Sequence, residues 1–332
     1  MPSPVIAGNS FAPGLKTEFL KTYFRKYEGL KEQLGKIGQI GLPSDKDIET
    51  YFHWTSTPNL KRWIRGTGVS QKAFAGVKFT AANLEWAQTI PWHFADEQDD
   101  QTKSLPDKVR EVAESAALLD ERVFFQIMQA GTDPDLLTTI PTAPDGQALF
   151  SATNDGSTAR FGVTNGNLLS GSGIDTAAHI ETDFFSAVEQ FRLFQDTEGQ
   201  PLWDRSVIDG GFIIFHRASG TAAKFFANVF QQGQTHSVLS STGAGVSNVI
   251  VDRGHKVELV PTSRVTSDDW FIALVKSPQK ALFSQERMKP LEFNEAWDNS
   301  DVVRRTGYKD FGVVLRRGYG ISEPYQFIKI NN

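Results

Sequence analysis

Residues 51–131 read YFHWTSTPNLKRWIRGTGVSQKAFAGVKFTAANLEWAQTIPWHFADEQDDQTKSLPDKVREVAESAALLDERVFFQIMQAG. Three textures follow one another in this stretch. First comes an extended arm studded with Trp54, Pro58, Leu60, Trp63, Phe74, Phe79, Leu84, Trp86 and Trp92, with polar residues between them. An acidic patch follows, Asp96, Glu97, Asp99 and Asp100. Then a helix announces itself: Ser104 as N-cap, Pro106 in the first turn and Asp107 completing an S-x-x-D box. Val109, Val112, Ala113, Ala116, Leu119, Val123, Phe124, Ile127 and Met128 form its apolar stripe, and Gly131 suits the stop. The pattern predicts one helix over residues 104–130, about 40 Å long at ~1.5 Å per residue. A two-stranded arm is marginal in water by itself. The aromatic stretch therefore has to lie against something, and its own domain supplies only one flank. Its remaining burial is expected on neighbouring copies of the chain.

Working toward the N-terminus, residues 1–13 are punctuated by Pro and Gly and are expected to be mobile or to order only on a partner. Leu15, Phe19, Tyr23, Tyr27, Leu30 and Leu34 recur at three- and four-residue steps, which predicts one helical face. Gly35, Gly38, Gly41 and Pro43 then predict a flexible connection, so this first segment reads as a docking arm and not as core. Toward the C-terminus, residues 132–173 are loop and hairpin, with turns at Asp145-Gly146 and Asn154-Asp155-Gly156. A second helix is predicted over residues 176–194, a strand at 211–215, a turn at 216–219 and a helix near 221–230. Strands at 246–251, 256–261 and 270–275 complete an α/β region. The tail alternates like strands, at Val313 and Leu315 and again at Tyr325, Phe327, Ile328 and Ile330.

The chain has 332 residues and a formal net charge of −5, with 39% hydrophobic and 22% charged residues, which suits a soluble globular protein. No apolar run approaches the roughly 20 residues of a membrane span, and residues 1–10 lack the pattern of a secretory signal. Cysteine is absent, which removes disulfides, thiolate nucleophiles and thiolate metal ligands. The acidic balance argues against a dedicated nucleic-acid reader. Charge is nevertheless uneven: residues 1–40 and residues 301–332 each hold six basic side chains against three acids. Lys21, Arg25 and Lys26 from the first set and Asp96, Glu97, Asp99 and Asp100 are candidate intersubunit charges, weighed against plain solvated surface.

The chemical motifs fail one by one. His53, His93, His179, His216, His236 and His255 show no H-E-x-x-H and no metal-ligand spacing. No G-x-S-x-G elbow starts a nucleophilic triad; the default for each histidine is a surface or core role, with His216 in a strand-to-helix turn placed best for chemistry. Gly166–Gly173 resembles a phosphate loop but lacks the Lys-Ser/Thr pair. Thr242-Gly243-Ala244-Gly245 lacks the rest of a dinucleotide fingerprint, and the acidic patch lacks EF-hand spacing. No catalytic residue, cofactor site or metal site is legible.

The order of segments, together with Thr57-Pro58-Asn59-Leu60-Lys61-Arg62-Trp63, Asp145-Gly146-Gln147-Ala148-Leu149-Phe150, Glu198-Gly199-Gln200-Pro201-Leu202 and Ser284-Gln285-Glu286-Arg287, resembles the major capsid proteins of tailed bacteriophages, and most closely the Mu-type major head subunit (Mu gpT-like) family. The resemblance spans residues 15–330. It implies an α+β, HK97-like fold: an N-terminal arm at 1–48, an extended E-loop at 49–100, a peripheral domain at 101–175 with spine helix 104–130, an axial domain at 176–280, and a return to the peripheral domain at 281–332. The implied function is a major capsid protein that self-assembles as hexamers and pentamers into an icosahedral shell around double-stranded DNA, held by non-specific contact. Implied partners are further copies of itself, a separate scaffolding protein, a portal and a decoration protein, with no membrane and no cofactor. The implied location is the virion capsid, assembled in the host bacterial cytoplasm. Trp54, Leu60, Trp63 and Phe79 are the expected E-loop anchors, because large apolar side chains dominate interface energetics. An encapsulin-like compartment shell and, in another class, a soluble α/β hydrolase built around His216 or His255 are the alternatives.

Overall fold

The computed structural model describes residues 11–56, 62–63, 75–93, 104–154, 158–230, 238–239, 245–246, 254–294 and 305–332. In chain order, α1 (Phe11–Leu34), β1 (Gly38–Pro43) and β2 (Ile48–Ser56) lead to the 19-residue β3 (Ala75–His93), then to α2 (Ser104–Ala117) and α3 (Leu119–Gln129). β4 (Leu168–Ser170), α4 (Ala177–Leu193), α5 (Arg205–Ile208), β5 (Phe212–Arg217) and α6 (Gly220–Phe230) follow. The short pair β6 (Val238–Leu239) and β7 (Gly245–Val246) precedes β8 (Val257–Thr262), β9 (Trp270–Leu274), β10 (Leu282–Asn294), β11 (Tyr308–Ile321) and β12 (Phe327–Asn331).

Two five-stranded sheets carry the architecture. The first has the order β1-β10-β11-β3-β2 and the second β4-β12-β9-β5-β8. β3 explains the first. Its early residues pair with β2, Ile48 opposite Ala82 and Trp54 opposite Gly76, while its later residues pair with β11, from Asn83 opposite Gly318 to His93 opposite Tyr308. The arm is therefore one long strand whose root is built into the sheet. In the second sheet β5 and β9 are buried on both faces and run as continuous apolar stretches, Phe212–Phe215 and Trp270–Leu274. α4 and α6 cover one side with Ile180, Phe184, Phe191 and Phe226. Thr176 caps α4 by accepting from the His179 amide at 3.2 Å. The tail divides between the sheets: β10 and β11 belong to the first, and β12 pairs with β9 and β4 in the second.

Four local expectations are corrected. α1 is not a detached arm, since Phe19 and Tyr23 are buried against Val109, Ala113 and Ala117 of α2 and Phe311 and Val313 of β11. The glycines after it do not make a flexible connection: Gly38–Pro43 is a strand parallel to β10. Gly38 is there because of a close approach, as a Cβ would stand 2.3 Å from the Phe124 ring. The helix of residues 104–130 is interrupted at Leu118, although Leu118 N still donates to Glu114 O and Arg122 N to Leu118 O, each at 3.0 Å. Its stop falls on Ala130, which takes the left-handed conformation (φ 53°) that the sequence reading gave to Gly131. The strand expected at 246–251 lies outside the described residues beyond Val246.

One buried ionic cluster joins these parts. Arg317 on β11 is fully buried, and its Nη1 donates to Asp120 Oδ2 of α3 at 3.0 Å. Its Nη2 donates to the Tyr23 hydroxyl of α1 at 2.7 Å and to Glu286 Oε2 of β10 at 2.9 Å. Tyr319 closes the ring by donating to Asp120 Oδ1 at 2.8 Å. Burial would lower the Arg317 pKa, but Asp120 and the surrounding oxygens hold it well above the usual range, so the cation persists. Burial likewise pushes the Tyr27 hydroxyl, beside the guanidinium, up to about 12. Replacing Arg317 by Met leaves two acids facing each other without a cation and is expected to cost about 3–5 kcal/mol in urea unfolding. A loss under about 1 kcal/mol would show that the cluster does not hold the fold together.

Candidate assembly surface on the hairpin

Alternation along β2 and β3 gives the hairpin two chemically different faces. Tyr51, Phe79, Ala81 and Asn83 turn inward. Tyr51 and Phe79 stack at 5.6 Å, and both meet the Phe283 ring of β10, at 5.0 and 6.1 Å. Phe283 in turn lies over Gly320, where a Cβ would stand 2.3 Å from its ring. Gln285, fully buried, ties both strands: it accepts from the Tyr51 hydroxyl at 2.7 Å and donates to Ala81 O at 3.1 Å.

The root of the hairpin is fixed by a polar turn. Asn83 Nδ2 donates to Ser44 Oγ and to Lys46 O, each at 2.7 Å. Glu49 Oε1 accepts from the amides of Lys46 at 2.9 Å and Asp45 at 3.0 Å and from the Ser44 hydroxyl at 3.1 Å; these bonds, the Lys46 amide first, hold its carboxyl below the usual range. Arg316 adds Asp47 at 2.7 Å and Glu85 at 3.3 Å.

The outer face is different. Ile48, Thr50, Phe52, Lys78, Thr80, Ala82 and Leu84 share it and all are exposed. Phe52 and Ile48 are 58% and 54% exposed, and Lys78 Nζ lies 5.2 Å from the centre of the Phe52 ring. Trp63, described with Arg62 between the two strands, is 64% exposed. Apolar side chains this open make the face a candidate contact surface.

The expected anchors fall out unevenly. Trp63 is open to solvent, while Phe79 is half-buried against its own chain. Trp54 lies on β2, and Leu60 lies outside the described residues. Lys21, Arg25 and Lys26 are exposed on α1, whereas Asp96, Glu97, Asp99 and Asp100 fall outside the described residues. Sequence reasoning passed over Ile48 and Phe52; the period-two spacing shared with Lys78, Thr80 and Leu84 was the available signal. His216 is a core histidine, stacked 4.2 Å from Phe226 and held below its usual pKa range by burial. His255 sits against Phe184, Phe185 and Phe212. Among the described residues no group of three His, Asp or Glu side chains is placed to hold a metal, and no helix is long and apolar enough to cross a membrane.

The family described as Mu-like prophage major head subunit gpT matches residues 12–179, half of the chain, including both hairpin strands and the helices beneath them. The chain belongs to this family. Solved structures extend the likeness over most of its length. The capsid of an empty GTA particle matches with a TM-score of 0.56 at 11% identity, covering 90% of this chain and 89% of that one. The capsid of cyanophage P-SCSP1u gives 0.53 at 11% identity, covering 88% and 85%. The mature capsid of bacteriophage PhiM1 gives 0.51 at 10%, covering 89% and 85%. No curated protein sequence matches. The fold is thus HK97-like, and this member of the gpT family is a major capsid structural protein. Neither the compartment nor the hydrolase alternative is favoured.

The two hairpin faces separate folding from assembly. Phe52→Ser on the outer face is expected to leave unfolding free energy within about 0.5 kcal/mol of the parent. Phe79→Ala on the inner face is expected to cost about 2–3 kcal/mol, below the roughly 3–5 kcal/mol of a fully buried Phe because Phe79 is only half-buried. Urea unfolding of the two variants side by side checks the assignment, and equal losses would contradict it.

Proposed function

We propose that this head subunit polymerises into hexamers and pentamers that close an icosahedral shell around double-stranded DNA, a structural and non-enzymatic role. The observation that carries this reading is the exposed outer face of the hairpin, Ile48, Phe52 and Leu84, together with the exposed Trp63. In this reading another copy covers the row. Such contacts are heterologous, one surface meeting a different surface of the next copy, and they generate rings and closed shells. At ~25 cal/mol per Å², several hundred Å² of apolar surface gives several kcal/mol before ordering costs.

In this reading residues 49–100 are the E-loop, and 104–130 the spine of a peripheral domain that begins at 101 and is completed by 281–332. Residues 176–280 form the axial domain and 1–48 the N-terminal region. Trp54, Leu60 and Trp63 anchor the E-loop on a neighbour, and Phe79 sets its base. Lys21, Arg25 and Lys26 meet Asp96, Glu97, Asp99 and Asp100 of an adjacent copy and fix register. A scaffolding protein, a portal and a decoration protein complete the particle, which is built in the host cytoplasm. DNA contact is non-specific, as suits a net charge of −5 and a cargo that has to leave.

Negative-stain microscopy of the purified chain and of particles is the test. Rings, tubes or shells are expected, and Trp63→Ala is expected to weaken their formation more than it weakens folding of the subunit. A chain that stays monomeric and is absent from particles would overturn the proposal. A Lys21/Arg25/Lys26→Glu triple variant is expected to assemble worse at low salt than at high salt; light scattering across a salt series reads this.

A further inference from the structure

Beyond Gln285, a charged tie joins the inner face of β2 to the body. His53 Nδ1 lies 3.1 Å from Glu323 Oε1, in the connection between β11 and β12, with the two side chains only 13% and 7% exposed. The other carboxylate oxygen, Oε2, is buried and has no hydrogen-bond partner among the described residues. The Tyr325 ring stands 6.2 Å from that of His53. Between hairpin and body lies a cavity of about 190 Å³, lined by Tyr51, Phe79, Phe283, Lys280 and Glu323 among others.

We propose that the His53–Glu323 pair is a proton-controlled latch that sets the posture of the β2–β3 hairpin on the body. With one proton held between them, the pair is a compensated ion pair or a neutral donor and acceptor. Without it, an ionised carboxylate is buried with one oxygen unpartnered, and opening the hairpin to water relieves that cost. Burial pushes the Glu323 carboxyl above its usual value of 4.5, and His53 pulls it only part of the way back. A pKa raised in the closed state favours closure below 4.5, and that contribution is lost as pH rises through the raised value. Acid tightens the latch and alkali loosens it.

The other ionisable groups around the pair are accounted for. Lys280 donates to Val275 O at 3.0 Å, and burial lowers its pKa, which carries the opposite sign. Burial raises the Tyr51 hydroxyl. Across the groove beyond His53, Asp145 is committed to Arg160 at 2.7 Å, and Asp196 accepts from the Glu198 and Gln200 amides at 2.8 and 2.9 Å.

Hydrogen exchange of the unassembled chain, corrected for intrinsic rates between about pH 5 and pH 8, tests the latch through the local opening of β2 and β3. Protection over residues 48–53 and 75–82 is expected to rise several-fold toward acid in the parent and in Lys280→Met, and to be flat in Glu323→Gln. Protection of β9 serves as the folding control. A flat parent profile, or an acid response that survives in Glu323→Gln, would overturn the proposal. Should Glu323→Gln lose protection in β9, His53→Gln serves instead: losing the group that pulls the carboxyl down is expected to keep the acid response and move it to higher pH, and a flat profile there counts against the latch. Because the measurement needs no shell, its failure and the failure of the assembly reading are separate outcomes.

Discussion

The structure depends on a cation that water cannot reach. Arg317 is fully buried, and its charge is held there by three bonds from its Nη atoms to fixed oxygens, while Nε has no partner among the described residues. Those oxygens come from Tyr23, Asp120 and Glu286, which lie on α1, α3 and β10. The cluster therefore dictates where three elements distant in sequence sit relative to β11. It reaches the hairpin as well: the Trp86 indole of β3 donates to the Arg317 carbonyl at 3.2 Å, and its ring meets Tyr319 edge-on. A second buried arginine applies the same logic to irregular chain. Arg160 pairs with both oxygens of Asp145 and donates to Ala148 O, Leu149 O and Asn167 Oδ1, holding these four residues to one point. Loops without a ladder satisfy their carbonyls this way instead.

Periodicity revealed most of the elements and little of how they meet. The helices at residues 15–34 and 176–194 and the strands at 211–215, 256–261 and 270–275 were legible because one face, or both, is made of repeating apolar residues. What periodicity cannot register is whether the partner of an apolar face lies in the same chain. The stripe Phe19, Tyr23 and Tyr27 therefore read as a docking arm, although its aromatic rings close on α2 and β11. Arg317 and Asp120 gave no signal, since a buried ion pair is made by residues that look like surface when taken singly. The end of α3 was misplaced for a similar reason. Gly131 is the better left-handed residue by itself, but the turn that follows is fixed by Gln126, whose side chain both accepts from and donates to the backbone of Leu137.

The two faces of the hairpin were legible in kind and not in detail. An excess of aromatic residues between Tyr51 and Trp92 announces more apolar area than one flank can cover. Which of those residues face outward depends on register, and a shift of one residue would exchange the two faces. The register is set by contacts far from the hairpin tip: Asn83 on the turn of residues 44–47, Gln285 across both strands, and the Phe283 ring on Gly320. Phe79 consequently points home, while Ile48 and Phe52 point away.

An exposed apolar row is useful to a shell only if it does not pair indiscriminately before assembly. The outer face answers this with its own composition. Thr50, Lys78 and Thr80 stand among Ile48, Phe52 and Leu84, and the Lys78 ammonium sits over the Phe52 ring. A cation over an aromatic face keeps part of its hydration, so stacking two such faces together would bury two like charges. A different surface offering an acid in place of a second lysine meets no such penalty. In the proposed assembly the same lysine would bias the face toward heterologous contact, the kind a ring or closed shell requires.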